Sequence, residues 1–266
     1  DALAGAVCAG HVIECGPQAT GGNFSGFQTI ADLTEPGFPI AEIATDGTCV
    51  ITKNPGTGGA VTPDTVTAQL VYEIGEPAYL NPDVTTHLDT AELTDLGDDR
   101  VQIRGVRGSA PPATTKVAIT GVGGWENSML LALTGTDLDA KAALVERSVH
   151  RYIDAVDGLD VAIDRIGRAQ HDPDSQNAGT ELLRIAVQGT KETAGRAFSS
   201  RMVELALSSY PGMYSLGPPQ PGSAFGVYWP ALLDQAMLDH TGHHHDDTTE
   251  TIARGHSQDA RREGTP

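Results

Sequence analysis

The chain has 266 residues, 39% hydrophobic and 20% charged, a globular composition that suits one large core or two small ones. Its 35 acidic against 17 basic residues give a formal net charge of −18, which repels polyphosphate at long range and excludes general nucleic-acid binding. Cys8, Cys15 and Cys49 are odd in number and form no CxxC pair, which argues against a disulfide framework or structural zinc and for a reducing, cytoplasmic setting.

No apolar run approaches the roughly 20 residues of a membrane helix, and Asp1 opens no signal-peptide pattern, so the chain reads as soluble with no membrane contact. It enters a strand pattern almost at once, as a chain lacking an upstream segment would. His11-Val12-Ile13-Glu14-Cys15 is a short β-prone run that opens into the glycine-rich stretch Gly16 to Asn23. Thr48 to Lys53 repeats the layout, with β-branched residues followed by the loop Asn54 to Gly59. A helix is then expected from Thr62 to about Ile74, with Thr62 as N-cap and Pro63 in its first turn.

Alternation over Arg100 to Val106 predicts a half-buried strand, and Lys116 to Thr120 another, ended by a loop through Gly121, Gly123 and Gly124. Leu138 to about Val156 has helical periodicity, with Asp137 as cap and Asp139 complementing the N-terminal dipole. Glu181 to Gln188 predicts a strand, and Thr193 to about Ser209 an amphipathic helix. The Pro- and Gly-rich stretch from Tyr210 to Trp229 reads as an ordered loop packing its aromatics. Alternating strands and helices predict an α/β fold, a layered mixed or mostly parallel sheet flanked by helices. A single domain is expected over 1–238, with a polar, flexible tail over 239–266.

Two places carry candidate chemistry. In the first, Glu14 and Cys15, with Gln18, Thr20 and Asn23, fall at the end of the first expected strand, where α/β sheets bind ligands. Glu14 suits an acid or base, and Cys15 a nucleophile if a neighbour stabilises its thiolate. Against this, a lone cysteine beside glycine is more often a small buried side chain, and a strand glutamate is often only solvated or paired. In the second, Lys53 supplies a point charge beside Gly56, Thr57, Gly58 and Gly59, whose backbone amides can approach an anion. The string has neither Walker nor GxGxxG spacing, so no nucleotide cofactor is indicated, and a plain turn explains the glycines equally well.

Weaker candidates are Asp98, Asp99 and Arg100, which also suit a surface turn, and Trp125 with Glu126 after the glycine turn. His240, His243, His244 and His245 beside Asp246 and Asp247 suit adventitious metal uptake better than a formed site, and no metal is expected.

The string from His11 to Phe24 resembles the signature of the acyclic terpene utilisation (AtuA) family. Val50 to Gly59, followed by Thr65-Val66 and Gln69 to Ile74, is similar to the family's next block in the same order. Weaker likenesses at Tyr79 to Val84, Asp99 to Val101, Gly123-Gly124 and Tyr210 to Gly212 extend the resemblance over most of residues 5 to 230. The resemblance implies a part in breaking down citronellol- or geraniol-type acyclic isoprenoids, with a branched acyl group or its CoA thioester as substrate. It also implies that the complete protein has an N-terminal portion before the His11 string. It names no reaction and no cofactor, and leaves open an accessory subunit that binds acyl-CoA without turnover, and a homo-oligomer.

Overall fold

A computed structural model of the chain describes residues 1–153 and 155–252. Ala2–Ile13 is an α-helix, α1, rather than a lead into a strand. Ala4, Cys8 and Val12 recur at i, i+4 and are all buried, so the alanine-rich stretch folds as a helix with one face inward. The expected strand over His11 to Cys15 is therefore the last turn of α1 and the residues leaving it. A 3-10 turn, Gly16–Thr20, follows.

Strands β1 (Pro39–Ile43) and β2 (Cys49–Lys53) form a hairpin, and helix α2 (Pro63–Leu70) starts where expected. Thr62 accepts the amide of Thr65 while the Thr65 side chain accepts that of Thr62, a reciprocal cap. Three short strands, β3 (Ala78–Leu80), β4 (Thr85–His87) and β5 (Glu92–Gly97), precede β6 (Arg100–Arg104) and β7 (Arg107–Ser109). The order β1-β2-β6-β5 makes one sheet and β3-β4-β7 another, with every pairing antiparallel. Helix α1 packs Ala4, Cys8 and Val12 into a core with Ile51, Val66, Val101 and Ile103.

Residues from Ala118 to Ala231 form a second compact unit, and Asp1–Val117 with the chain from Leu232 the first. The long strand β8 (Thr114–Thr134) runs through Gly121, Gly123 and Gly124, where a loop is expected. After it come α3 (Leu138–Ile153), β9 (Asp160–Ile166) and β10 (Thr180–Gly189). A π-helical stretch, Lys191–Ala197, broken at Gly195, leads into α4 (Phe198–Leu207). Strands β11 (Met213–Ser215) and β12 (Ser223–Asp234) occupy the stretch expected as a loop.

The sheet of this unit has the order β11-β8-β10-β9, with β12 also on β8; β10 and β11 run antiparallel to β8, and β9 to β10. Leu131, Leu133, Leu183 and Ile185 bury one sheet face beneath Val145, Val149, Phe198 and Met202 of the two helices. The expected layered, mixed or mostly parallel α/β sheet is thus overturned: several small antiparallel sheets carry the helices, and Pro36 with Gly58 forms an isolated parallel bridge. The periodicity shows where strands lie, but strand direction depends on partners distant in sequence.

Within 239–266, β13 (His240–His243) and β14 (Thr249–Ile252) form a hairpin, and 253–266 lie outside the described residues. Among the described residues no three His, Cys, Asp or Glu side chains gather to hold a metal, and no helix is long and apolar enough to cross a membrane.

Candidate functional site

The first glycine string is organised by His11. Its ring is buried in the last turn of α1, with Nδ1 2.9 Å from Glu14 Oε1 and Nε2 3.2 Å from the Leu70 carbonyl at the end of α2. A carboxylate and a carbonyl both accept, so the ring is satisfied when each nitrogen carries a proton, or when Glu14 carries the shared one. The Glu14 side chain is 47% exposed: His11 holds one carboxylate oxygen, and the group remains open to solvent. Tyr79 lies beside the pair, its ring centre 5.2 Å from that of His11. Burial, then the Glu14 and Glu73 carboxylates, push its phenol above the ordinary value.

The rest of this string builds the turn. Asn23 Nδ2 donates to the Ala68 carbonyl at 3.2 Å, so Asn23 and His11 together cover carbonyls that the end of α2 leaves without helical partners. Thr20 donates its hydroxyl to the Gly37 carbonyl at 2.8 Å. Gly16 has φ +58°, and a Cβ there would meet Phe38 Cε1 at 2.8 Å. The Phe38 ring, 70% exposed, therefore lies against the glycine next to half-buried Cys15. Among the described residues, the buried acceptor Gln18 Oε1 and the buried donor Gln69 Nε2 find no hydrogen-bond partner.

The second string meets the first: the Ala60 amide donates to the Thr20 carbonyl at 2.9 Å, and a Cβ on Gly59 (φ +79°) would come 2.7 Å from that same oxygen. Its polar groups are largely engaged. Lys53, with a side chain 5% exposed, donates from Nζ to the Thr57 carbonyl at 2.8 Å and lies 3.0 Å from Asp99 Oδ2. Asp99 Oδ1 accepts the Val61 amide. The amides of Gly58 and Gly59 donate to the carbonyls of Glu35 and Asp32, and that of Thr57 to Asn54, while Gly56 (φ +78°) faces open space.

The structure thus brings Glu14 and Cys15 to the more open side of the first turn, keeps Gln18 half-buried with its Oε1 inside, and ties Thr20, Asn23, Lys53, Thr57, Gly58 and Gly59 into the foundation of that turn. His11, Phe38 and Tyr79 escaped the sequence reading as site residues. The missed signal was helical: with Ala2–Ile13 read as a helix, His11 and Glu14 are an i, i+3 pair. In the second unit a separate cleft of about 730 Å³ lies on the open face of the β8, β9 and β10 sheet. Ser128, Ala186 and Ala162 are in register across its floor, and Arg184, Glu126 and Asp160 flank them.

Two antiparallel units of helix and sheet, one of them holding a histidine-backed carboxylate, define a class of mixed helix-and-sheet protein with a small polar site. The family model for acyclic terpene utilisation family protein AtuA matches residues 1–244, and the chain belongs to that family. Membership links it to acyclic terpene utilisation. No curated protein and no solved structure matches the chain.

Proposed function

We propose that the chain acts on the carbonyl end of a branched isoprenoid acyl group carried as its CoA thioester, in the cytoplasm, with Glu14 moving the proton. The observation that carries this reading is the 2.9 Å contact of the open Glu14 carboxylate with buried His11. A carboxylate oriented by a second ionisable group and left open on its other side is arranged for acid–base work. Phe38, against Gly16 two residues further on, offers an apolar surface for the hydrocarbon, Cys15 is the adjacent thiol, and Tyr79, beside His11, is a donor. Gln18 brings an unpartnered acceptor to the same turn. Thr20 and Asn23, with Lys53, Gly56, Thr57, Gly58 and Gly59, hold the two loops in place around the substrate.

A second reading, an accessory subunit that binds the acyl thioester without turnover, is favoured by one observation. The ammonium of Lys53 and the amides of Gly58 and Gly59 already have internal partners, so these groups grip no anion without rearranging. Incubating the protein with ten-carbon branched acyl-CoA thioesters and following product mass separates the two. Conversion that falls about 100-fold or more in Glu14→Gln, with binding kept, supports acid–base catalysis. Binding without conversion by the wild type supports the accessory role, and conversion unchanged in Glu14→Gln removes Glu14 from the reaction.

A further inference from the structure

We propose that the cleft on the open face of the second unit's sheet binds an elongated zwitterion of tripeptide length, with its ammonium among Glu126, Gln188 and Asp160 and its carboxylate at Arg184. Leu183, Ile185 and Val187 of β10 are buried beneath the helices, so Arg184, Ala186 and Gln188 alternate onto the other face. The strand registers set Glu126 of β8 and Asp160 of β9 on either side of Gln188, and Ser128 and Ala162 on either side of Ala186. The row of small side chains is a trough between the polar row and Arg184.

One wall of the cleft is fixed. Buried Asn127 donates from Nδ2 to the Gln220 carbonyl at 2.8 Å and to the Ala194 carbonyl at 3.0 Å, which pins residues 220–223 against β8. Gly222 (φ +75°) lies so near the strand that a Cβ there would come 2.8 Å from the Glu126 carbonyl oxygen. A preformed cleft of about 730 Å³ is of the size that takes a small ligand.

Its polar groups identify that ligand. Among the described residues, the side chains of Glu126, Gln188 and Asp160 have no hydrogen-bond or ion-pair partner, and three acceptors in one row match the three N–H donors of a primary ammonium. The guanidinium of Arg184, half-exposed, meets Asp164 at 3.5 Å, too long for a good hydrogen bond, and keeps donors for a carboxylate. Four residues of β10 separate Arg184 from Gln188, about 13 Å of strand. An extended tripeptide spans about 10 Å, and the lengths of the two side chains close the difference. A diamine fits less well, because Arg184 repels its second charge, and the phosphates of CoA are repelled by Glu126 and Asp160.

Isothermal titration calorimetry of the full chain with triglycine tests this. A dissociation constant of about 1 mM is expected, since half-exposed ion pairs each contribute little. N-acetyl-triglycine, which lacks the ammonium, should bind about tenfold more weakly, as should triglycine to a double variant carrying Glu126→Gln and Asp160→Asn. Arg184→Gln should weaken triglycine to a similar degree and abolish its advantage over triglycine amide. All three side chains are exposed, so circular dichroism should show the fold intact in each variant. No binding of triglycine at about 20 mM overturns the proposal. So does binding that is indifferent to the N-acetyl block, to the double variant or to Arg184→Gln. Neither result bears on Glu14, which belongs to the first unit.

Discussion

Lys53 holds its ammonium 3.0 Å from the Asp99 carboxylate, and Asp99 accepts the Val61 amide through its other oxygen. One ion pair therefore ties the end of β2 and the second glycine string to the start of β6 and the approach to α2. A group read from the sequence as a ligand clamp is part of the frame on which the Glu14 turn rests, because the Ala60 amide bonds back to Thr20.

Removing the acid of this pair should destabilise the protein more than replacing the lysine with an apolar side chain, because the lysine is the buried member. Asp99→Ala strands a nearly buried ammonium, and because Asp99 is partly exposed the loss should fall at the low end of the buried-pair range, about 3 kcal/mol. Lys53→Met, which fills the same space without a charge, should cost less. Urea denaturation of the two variants checks the order.

Gly16 combines a left-handed backbone with the close approach of Phe38. Gly16→Ala should cost about 1–2 kcal/mol for the backbone alone and more for the displaced ring. Adding Phe38→Ala should recover the ring's share and leave the backbone share. A double variant no more stable than Gly16→Ala would show that the ring moves aside freely.

Burial pushes the Cys8 thiol up to about 12, with Cys49 nearby adding to it, and the Cys49 thiol up to about 11. Both therefore stay protonated in the fold at a pH where the unfolded thiols ionise. Their raised values contribute stability that is present below pH 9 and lost as the pH rises towards 12. Cys8→Ala should flatten this alkaline slope. With a thiol reagent at neutral pH, half-buried Cys15 should react first, and Cys8 and Cys49 only on denaturation.

In the second unit, Arg165 reaches both buried Glu181 and exposed Asp139. Its guanidinium is held above its ordinary value by the hydrogen bond to Glu181 first and that to Asp139 second. Arg165→Ala leaves Glu181 with its main cation gone and should cost on the order of 3 kcal/mol. Asp139→Ala should cost no more than about 1 kcal/mol, since its carboxylate is in water. Equal losses in the two variants would contradict the ranking.

What the sequence disclosed was local. The β-branched run ending at Lys53 and the Thr62-Pro63 start of α2 are decided by neighbours a few residues away, and both stand in the structure. Leu138 and Glu181 likewise lie in the expected helix and strand. His11-Val12-Ile13 misled because three β-prone residues outweighed the i, i+4 rhythm of Ala4, Cys8 and Val12 that sets the helix face. Gly121, Gly123 and Gly124 misled because a strand accepts glycine where a partner strand lays large side chains over it, and that partner is about a hundred residues away. Glu14 could be singled out from its type and place, but its partnership with Leu70 through His11 belongs to the tertiary structure.

The most direct test of the Glu14 account is a crystal structure of the protein with a non-hydrolysable ten-carbon branched acyl-CoA analogue. The acyl carbonyl end should lie within hydrogen-bond reach of Glu14, with the hydrocarbon against Phe38. An analogue seated instead in the Arg184 cleft of the second unit, with Glu14 facing only water, would contradict it.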